Sequence, residues 1–411
     1  MAAPQVVTQS GNTVALTNSI RTQYIENYLE GAMPERLYDQ LASPVGAPME
    51  QLKRGSSVQV EFLSDMSPGT SAISEVTDIS AQTLVDAVAS ITPTSRGEAL
   101  QASERLMIQA FTDYNAKLSQ RVGASMMETI DSLARDAATQ GSLVHRNDTG
   151  DARSSLDAGS TSNRADDKIF LKLSARLQSL KVPGFKDAKN GSNNWAAIMH
   201  PEVFHDILVS GNVQAISQYQ NASIILNHEL GAIGGFRLLV SPWAKVFYGA
   251  STAFATPVNT EVKSNIAALD KTFVISVSSS VSTGRWLNIL DTLESGDTHV
   301  STNERVAYVS AAAKVITIVG EASNGGFRFP HTGTTAVVNN ADSAYTIVCG
   351  GPDSLAKVYA TEIGEYGQIV GPKKDGMLDQ FYSLGYKWYG GYGRLRENGL
   401  IRAEVSVSSE A

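Results

Sequence analysis

The chain has 411 residues, with 33 basic against 41 acidic side chains for a net charge of −8, and only 7% are aromatic. No run approaches the roughly eighteen uncharged apolar residues of a membrane-spanning helix, and no basic block is long enough for a dedicated nucleic-acid groove. A single cysteine, Cys349, excludes an intrachain disulfide and a cysteine-based metal cluster; its apolar setting predicts a buried thiol.

Residues 1–20 are small and polar, without the basic start and apolar block of a signal peptide, and read as an arm that is loose unless a partner orders it. Tyr24, Ile25, Tyr28, Leu29, Leu37, Tyr38 and Leu41 suggest two short helical pieces broken near Gly31 and Pro34. Pro44, Gly46 and Pro48 then predict an extended crossing segment. Val58, Val60 and Phe62 alternate with Gln59 and Glu61 as in a half-exposed strand. A turn at Ser64–Ser71 and a return half near 73–92, carrying Glu75, Asp78 and Asp86, complete a projecting hairpin. Such a hairpin exposes its edges, so it is expected to lie on a neighbour.

The run Gly97–Ala138 predicts a glycine-bearing turn opening into a helix of nearly forty residues over 98–138. Its stripe is Phe111, Tyr114, Leu118, Val122, Met126, Ile130, Leu133 and Ala137, at steps of three or four. Asp113–Lys117 and Asp131–Arg135 lie one turn apart on other faces. At 1.5 Å per residue such a rod is roughly 50–60 Å long, which suits a wide, thin subunit better than a compact enzyme.

Residues 141–165 read as a flexible polar loop. A helix is expected from Asp166–Asp167 through Phe170, Leu173, Leu177 and Leu180, stopped by Pro183 and Gly184. Asn193–Met199 reads as a strand, His200–Leu208 as a turn entering a short helix, and Gly231–Val240 as a Gly234–Gly235 turn with a strand. Short candidate strands follow at Thr272–Val277, Val306–Ala312, Val315–Val319, Thr335–Val338 and Ala344–Val348. The end, Phe381–Val407, reads as two strands flanking Gly390–Gly393. Lys387 precedes those glycines; Arg394, Arg396 and Arg402 follow them. No repeat period is visible.

Nothing in this chain spells out chemistry. Its six histidines are scattered, and His200 and His205 are badly spaced for ligands on one helix face. There is no HExxH, EF-hand loop or GxSxG elbow. Gly320–Gly326 lacks the Gly-Lys-Ser/Thr ending of a phosphate loop, and Gly350–Ser354 before Leu355–Lys357 reads as a cap and turn into a helix. The Asp166–Asp167 and Glu362–Glu365 pairs read as solvated or ion-paired carboxylates. No catalytic, cofactor-binding or metal-ligating residue is expected.

Several segments, in order, carry a resemblance. They are Ala32-Met33-Pro34 through Gln40, Gly55–Phe62 with Ile73–Val76, Gly97 with Leu100–Glu104, Trp195–Pro201, Gly231–Arg237, Gly385–Gly390 and Leu400–Val405. Together they resemble the major capsid proteins of tailed bacteriophages with the HK97 fold, most closely the group typified by the N4 phage capsid protein. That resemblance implies an α+β fold: an N-terminal arm (1–54), an extended loop (55–96), a peripheral domain (97–190) with a spine helix, an axial domain (191–370) around a mixed sheet, and C-terminal strands (371–411) returning to the peripheral domain. The stretch 250–340 fits least and reads as an enlarged or inserted β element.

The resemblance further implies hexamers and pentamers of this chain in an icosahedral shell around double-stranded DNA, contacted without specificity. Its expected partners are further copies, a scaffolding protein, a portal and a decoration protein, with no membrane and no cofactor; its place is the virion capsid, assembled in the host cytoplasm. Glu75, Asp78, Lys387, Arg394, Arg396 and Arg402 are candidates for intersubunit ion pairs, or for plain solvent-facing charges. Rival readings are another virion structural protein, in the tail or decorating the shell, and an oligomeric enzyme.

Overall fold

The computed structural model describes residues 37–47, 57–63, 66, 68–70, 81–104, 114–147, 152–186, 193–210, 232–250, 259–276, 286–292, 302–312, 314–322, 324–375 and 381–410. Its first strands are β1 (Ala42–Ala47), the paired β2 (Val58–Leu63) and β3 (Asp86–Ile91), and β4 (Thr94–Ser103), ahead of the 26-residue helix α1 (Tyr114–Thr139). Next come β5 (Val144–Arg146), α2 (Asp167–Ser179), β6 (Phe185–Lys186), β7 (Asn193–Met199), α3 (Pro201–Val209), β8 (Ala232–Ile233), β9 (Phe236–Val240) and β10 (Val246–Phe247). The strands β11 (Asn259–Glu261), β12 (Thr272–Val274), β13 (Trp286–Leu290), β14 (Glu304–Ala312), β15 (Val315–Val319) and β16 (Val337–Asn339) form one group. The chain closes with β17 (Ala344–Gly350), β18 (Leu355–Ala360), β19 (Gln368–Asp375), β20 (Phe381–Arg394) and β21 (Leu400–Val405).

The fourteen-residue β20 organises the first sheet. One edge pairs with β4 over ten consecutive residues, and along the other edge β19 and then β18 follow one another. β1 adds to β18 in parallel. Alternate residues Leu384, Tyr386 and Trp388 share one face, where Val122, Met126 and Ile130 of α1 cover them. Side chains of this size contribute about 1.5–3 kcal/mol each when fully buried. The helix is therefore held by its stripe, as the period requires.

Three expectations are corrected in this sheet. Residues 94–103 are strand, so the rod does not start at Gly97 or at 98; Glu104 is helical, and the continuous described helix runs from Tyr114. Pairing with β20 overrides the helical composition there, and Gly97 is required because a Cβ would collide with the Tyr386 carbonyl oxygen. Gly390–Gly393 likewise lie inside β20, and the turn comes later, at Glu397–Gly399. A Cβ on Gly390 would sit 2.6 Å from the Val358 carbonyl oxygen, so strand packing, not a turn, selects glycine. Leu355–Lys357 is also strand rather than the start of a helix, because β1 and β20 claim its two edges.

The second sheet runs β5-β21-β17-β7-β9-β8, mixed in direction, with β10 and β6 on its margins. Trp195, Ala197, Met199, Ile347, Cys349, Ile401, Ala403 and Val405 pack against α2 and α3 through Phe170, Leu173, Val203 and Ile207. Their neighbours Ala196, Ile198, Val348 and Leu400 face the other way, onto Tyr38, Leu41 and the last turns of α1. Burial on both faces explains why these strands read as continuous apolar runs. Asp166 caps α2 by accepting from the Ile169 N–H at 3.1 Å, and Cys349 is fully buried, both as expected. β21 belongs to this sheet, between β5 and β17.

Residues 141–147 and 152–165 are anchored rather than loose: Leu156 and Ala158 are completely buried. The described strands between 259 and 339 form a separate antiparallel sheet, ordered β11-β16-β13-β14-β15-β12. Its two ends meet, since the Lys263 N–H donates to the Val274 carbonyl at 2.8 Å and the Ser276 N–H to that of Glu261 at 3.0 Å. Among the described residues, the Val262–Ile275 bridge thus closes the six strands into a barrel. Its core holds Val262, Phe273, Leu287, Ile289, Val306, Ile316, Ile318 and Phe327. It is an inserted unit with its own interior.

Candidate assembly interface

A carboxylate surrounded by arginines lies at the heart of the second sheet. Glu404 is completely buried, with Arg153 at 2.6 Å, Arg146 at 3.0 Å and Arg402 at 3.0 Å. Burial alone would push its pKa up; the hydrogen bond and charge of Arg153, with Arg402 and Arg146, outweigh that and hold it below the ordinary glutamate value. Arg153 also stacks on the Phe247 ring at 3.6 Å. Arg146 and Arg153 thereby pin the described parts of the polar segment, 141–147 and 152–165, to the body.

Arg402 and Arg394, placed by sequence among the intersubunit candidates, face inward. Arg402 is 3% exposed and its guanidinium donates to the Thr139 carbonyl. Arg394 donates to the Ala138 carbonyl at 3.4 Å and to the Leu400 carbonyl at 2.9 Å, and pairs with Glu397 at 3.2 Å. Both therefore satisfy the last carbonyls of α1, where the helix dipole favours cations. Their charge serves the subunit's own helix end. Lys387 and Arg396 are exposed, while Glu75 and Asp78 lie outside the described residues.

The described N-terminal stretch is clasped by charge as well. Buried Lys357 meets Asp39 at 2.8 Å and Glu365 at 3.4 Å, and the Tyr392 hydroxyl donates to Asp39. Asp131 of α1 accepts the Tyr38 N–H at 2.9 Å and the Asp39 N–H at 3.2 Å. Burial keeps Asp131 above the ordinary aspartate value despite those two donors.

The barrel joins the body through two arginines. Arg305 pairs with Glu410 and donates to the Tyr345 hydroxyl at 2.6 Å. Arg328 pairs with Glu128 of α1 and stacks over Trp243 at 4.2 Å. Between these ties runs a cleft of about 970 Å³, lined by Glu98, Glu128, His200, Trp243, Glu304 and Arg328 among others. His200 caps α3 there, accepting from the Glu202 N–H, and burial followed by the charge of Arg305 lowers its pKa to about 4. It is neutral near pH 7. The cleft mixes charges of both signs, and among the described residues no three His, Cys, Asp or Glu side chains are grouped to hold a metal.

Apolar side chains left outside mark the surfaces open to a neighbour. The β2–β3 ribbon and its approach expose Met66, Leu84, Val85 and Val88, while the β4–β20–β19 sheet exposes Leu100, Ile369, Val370 and Phe381. The sequence had signalled the ribbon by its alternation. It had not signalled the inward arginines, although Arg402 and Glu404 alternate with Ile401, Ala403 and Val405 in a strand buried on both faces. A charge in such a strand requires a partner.

No sequence-family description matches the chain, and no curated protein matches it. Its structure is similar to several solved capsids over essentially its whole length. The capsid of the cyanophage P-SCSP1u is 11% identical over 98% of both chains, with a TM-score of 0.56. The acid-stable capsid of the Helicobacter pylori bacteriophage KHP30 is 7% identical over 98% of this chain and 100% of that one, with a TM-score of 0.55. The capsid of Ralstonia phage GP4 is 8% identical over 99% and 98%, with a TM-score of 0.54. At these identities the likeness is one of fold, the α+β fold of phage capsid proteins of the HK97 type.

Proposed function

We propose that this chain is a major capsid protein that assembles as hexamers and pentamers into an icosahedral shell enclosing phage double-stranded DNA. One observation carries it: the fold matches capsid chains end to end, at 98–99% coverage, rather than over a shared subdomain. On this reading α1 is the spine helix, the β2–β3 ribbon belongs to the extended loop, and the second sheet is the core of the axial domain. A placement in the N4-type group, guidance by a scaffolding protein, a portal at one vertex, a decoration protein and non-specific contact with DNA complete it. The protein has no catalytic task.

The physics suits that role. A thin shell resists internal pressure through contacts spread around every subunit, and each can stay modest because many act together. The exposed apolar ribbon supplies such contacts without thickening the body. Electron microscopy of the purified protein, with and without its scaffolding partner, tests this. Closed shells or hexameric sheets are expected. A small discrete oligomer under all salt conditions would overturn it and favour a tail or decoration protein, and turnover of a substrate by that oligomer would favour an enzyme.

A further inference from the structure

Beyond β21 a short helical turn, residues 408–410, lies across the junction between the second sheet and the barrel. Its start is held by α3: Asp206 accepts the Ser408 N–H at 2.7 Å on one oxygen and the Ser408 hydroxyl on the other. Val407, just before it, is fully buried in the core that α2 and α3 cover. Two residues further on, the Glu410 carboxylate is divided between the two units. One oxygen accepts the Ser343 N–H at 2.6 Å, beside the start of β17, and the other pairs with Arg305 of β14. The same guanidinium donates to the Tyr345 hydroxyl at 2.6 Å and lies over the Trp286 ring at 5.2 Å.

We propose that residues 408–410 are a strap that sets the orientation of the barrel on the second sheet, by supplying the counter-charge that lets Arg305 lie in the junction. Without the Glu410 carboxylate, the closed arrangement keeps a desolvated guanidinium whose remaining acceptor among the described residues is the Tyr345 hydroxyl. A buried cation stripped of its partner is strongly unfavourable. The relief is for the barrel to turn and carry Arg305 to water, pivoting on the two chain crossings beside Gly249 and Ser343.

The Arg328–Glu128 pair has no such leverage. Its side chains are 26% and 35% exposed, against 10% and 2% for Arg305 and Glu410. Arg328 deprived of Glu128 turns to water, or to Glu321 at 4.0 Å, with the barrel left in place. The other carboxylate whose charge reaches Arg305 is Asp342, which is buried and already accepts the Ala158 N–H at 2.9 Å.

Spin labels on cysteines introduced at exposed Ser310 of β14 and Ala175 of α2 give the barrel-to-body distance distribution, with labelled chains diluted in unlabelled ones; the native Cys349 is fully buried. One narrow population is expected for the otherwise unaltered chain. Glu410→Ala should raise a second, broader population at least about tenfold, whereas Glu128→Gln should change it by less than about twofold. Adding Arg305→Met to Glu410→Ala removes the stranded cation and should bring the narrow population back, which a mere loss of packing would not do. If Glu410→Ala fails to fold, Glu410→Gln, which keeps the shape and loses the charge, takes its place. A distribution that the Glu410 variant leaves narrow, as when Asp342 takes over Arg305, overturns the proposal. So does one that Glu128→Gln broadens equally, or that the double variant leaves broad. None of these outcomes depends on whether the chain forms shells.

Discussion

Arg153 grips both oxygens of Glu404, its Nη2 2.6 Å from Oε1 and its Nε 3.0 Å from Oε2, although 251 residues separate them in the chain. The fork joins a polar loop to β21, one strand in from the edge of the second sheet, and two further arginines share the same acceptor. A bidentate charge-assisted pair of this kind is strong when desolvated and very sensitive to loss of one member.

Glu404→Gln is accordingly expected to cost about 3–5 kcal/mol, because it leaves Arg153 and Arg402 buried without their counter-charge. The midpoint of urea unfolding, at unchanged slope, measures it. A loss below about 1 kcal/mol would mean that the arginines find water or other acceptors.

The acid response of that site has a definite sign. Since the folded-state pKa of Glu404 lies below the ordinary value of 4.5, its stabilisation is complete above that value and is lost as pH falls through the lower, folded value. Unfolding series on wild type and Glu404→Gln should keep their full separation down to pH 4.5 and converge only below it. Convergence beginning above pH 5 would contradict the arrangement described.

Ile130 is fully buried between α1 and the β20 face. Ile130→Ala should destabilise by about 2–5 kcal/mol, whereas Gln120→Ala, on the exposed side of the same helix, should stay within about 0.5 kcal/mol. Thermal melts of both variants compare the two faces directly.

Gly97→Val tests whether residues 94–103 are strand. The added Cβ meets the Tyr386 carbonyl oxygen, so a cost of at least about 1–3 kcal/mol and weakened amide protection along β4 and β20 are expected. Gly69→Val, with open space around it, should leave protection unchanged there. In a helical 98–138 the first substitution would have been mild.

Val88→Asp addresses assembly. Val88 is 46% exposed on the ribbon, so subunit stability should change by less than about 0.5 kcal/mol. Shell yield by sedimentation should nevertheless fall at least about tenfold, as burial of a carboxylate against a neighbour is unfavourable. Full yield would remove the ribbon from the contact surface.

Legibility from sequence followed the range of the forces involved. α2 was visible because its start and stop are local: Asp166 caps it, and Pro183 and Gly184 lie beyond its end. β7 was visible because Asn193–Met199 is bounded by turn residues. β4 was misread because Glu98, Leu100 and Arg96 suit a helix as well as a strand, and its ten partners lie near residue 385. The glycines of β20 were misread as a turn for the same reason, since the crowding by Trp388 and Val358 is a tertiary fact. Arg394 and Arg402 looked like surface charges until the end of α1 was placed beside them. Closure of the barrel, finally, rests on the bridge of Val262 to Ile275, which no periodicity announces.

The barrel leaves the second sheet after β10 and rejoins it at β17, and those two strands are antiparallel neighbours, Val246 opposite Tyr345 and Phe247 opposite Ala344. The polypeptide thus comes back within about one strand spacing of its point of departure, roughly 4.8 Å. Gly249 and Ser343, joined by a hydrogen bond of 3.3 Å, act as a seam across the opening. A module mounted this way asks of its host only that its two ends lie side by side. Its size, loops and outer chemistry can therefore diversify while the sheet beneath continues to fold as though nothing had been spliced into it.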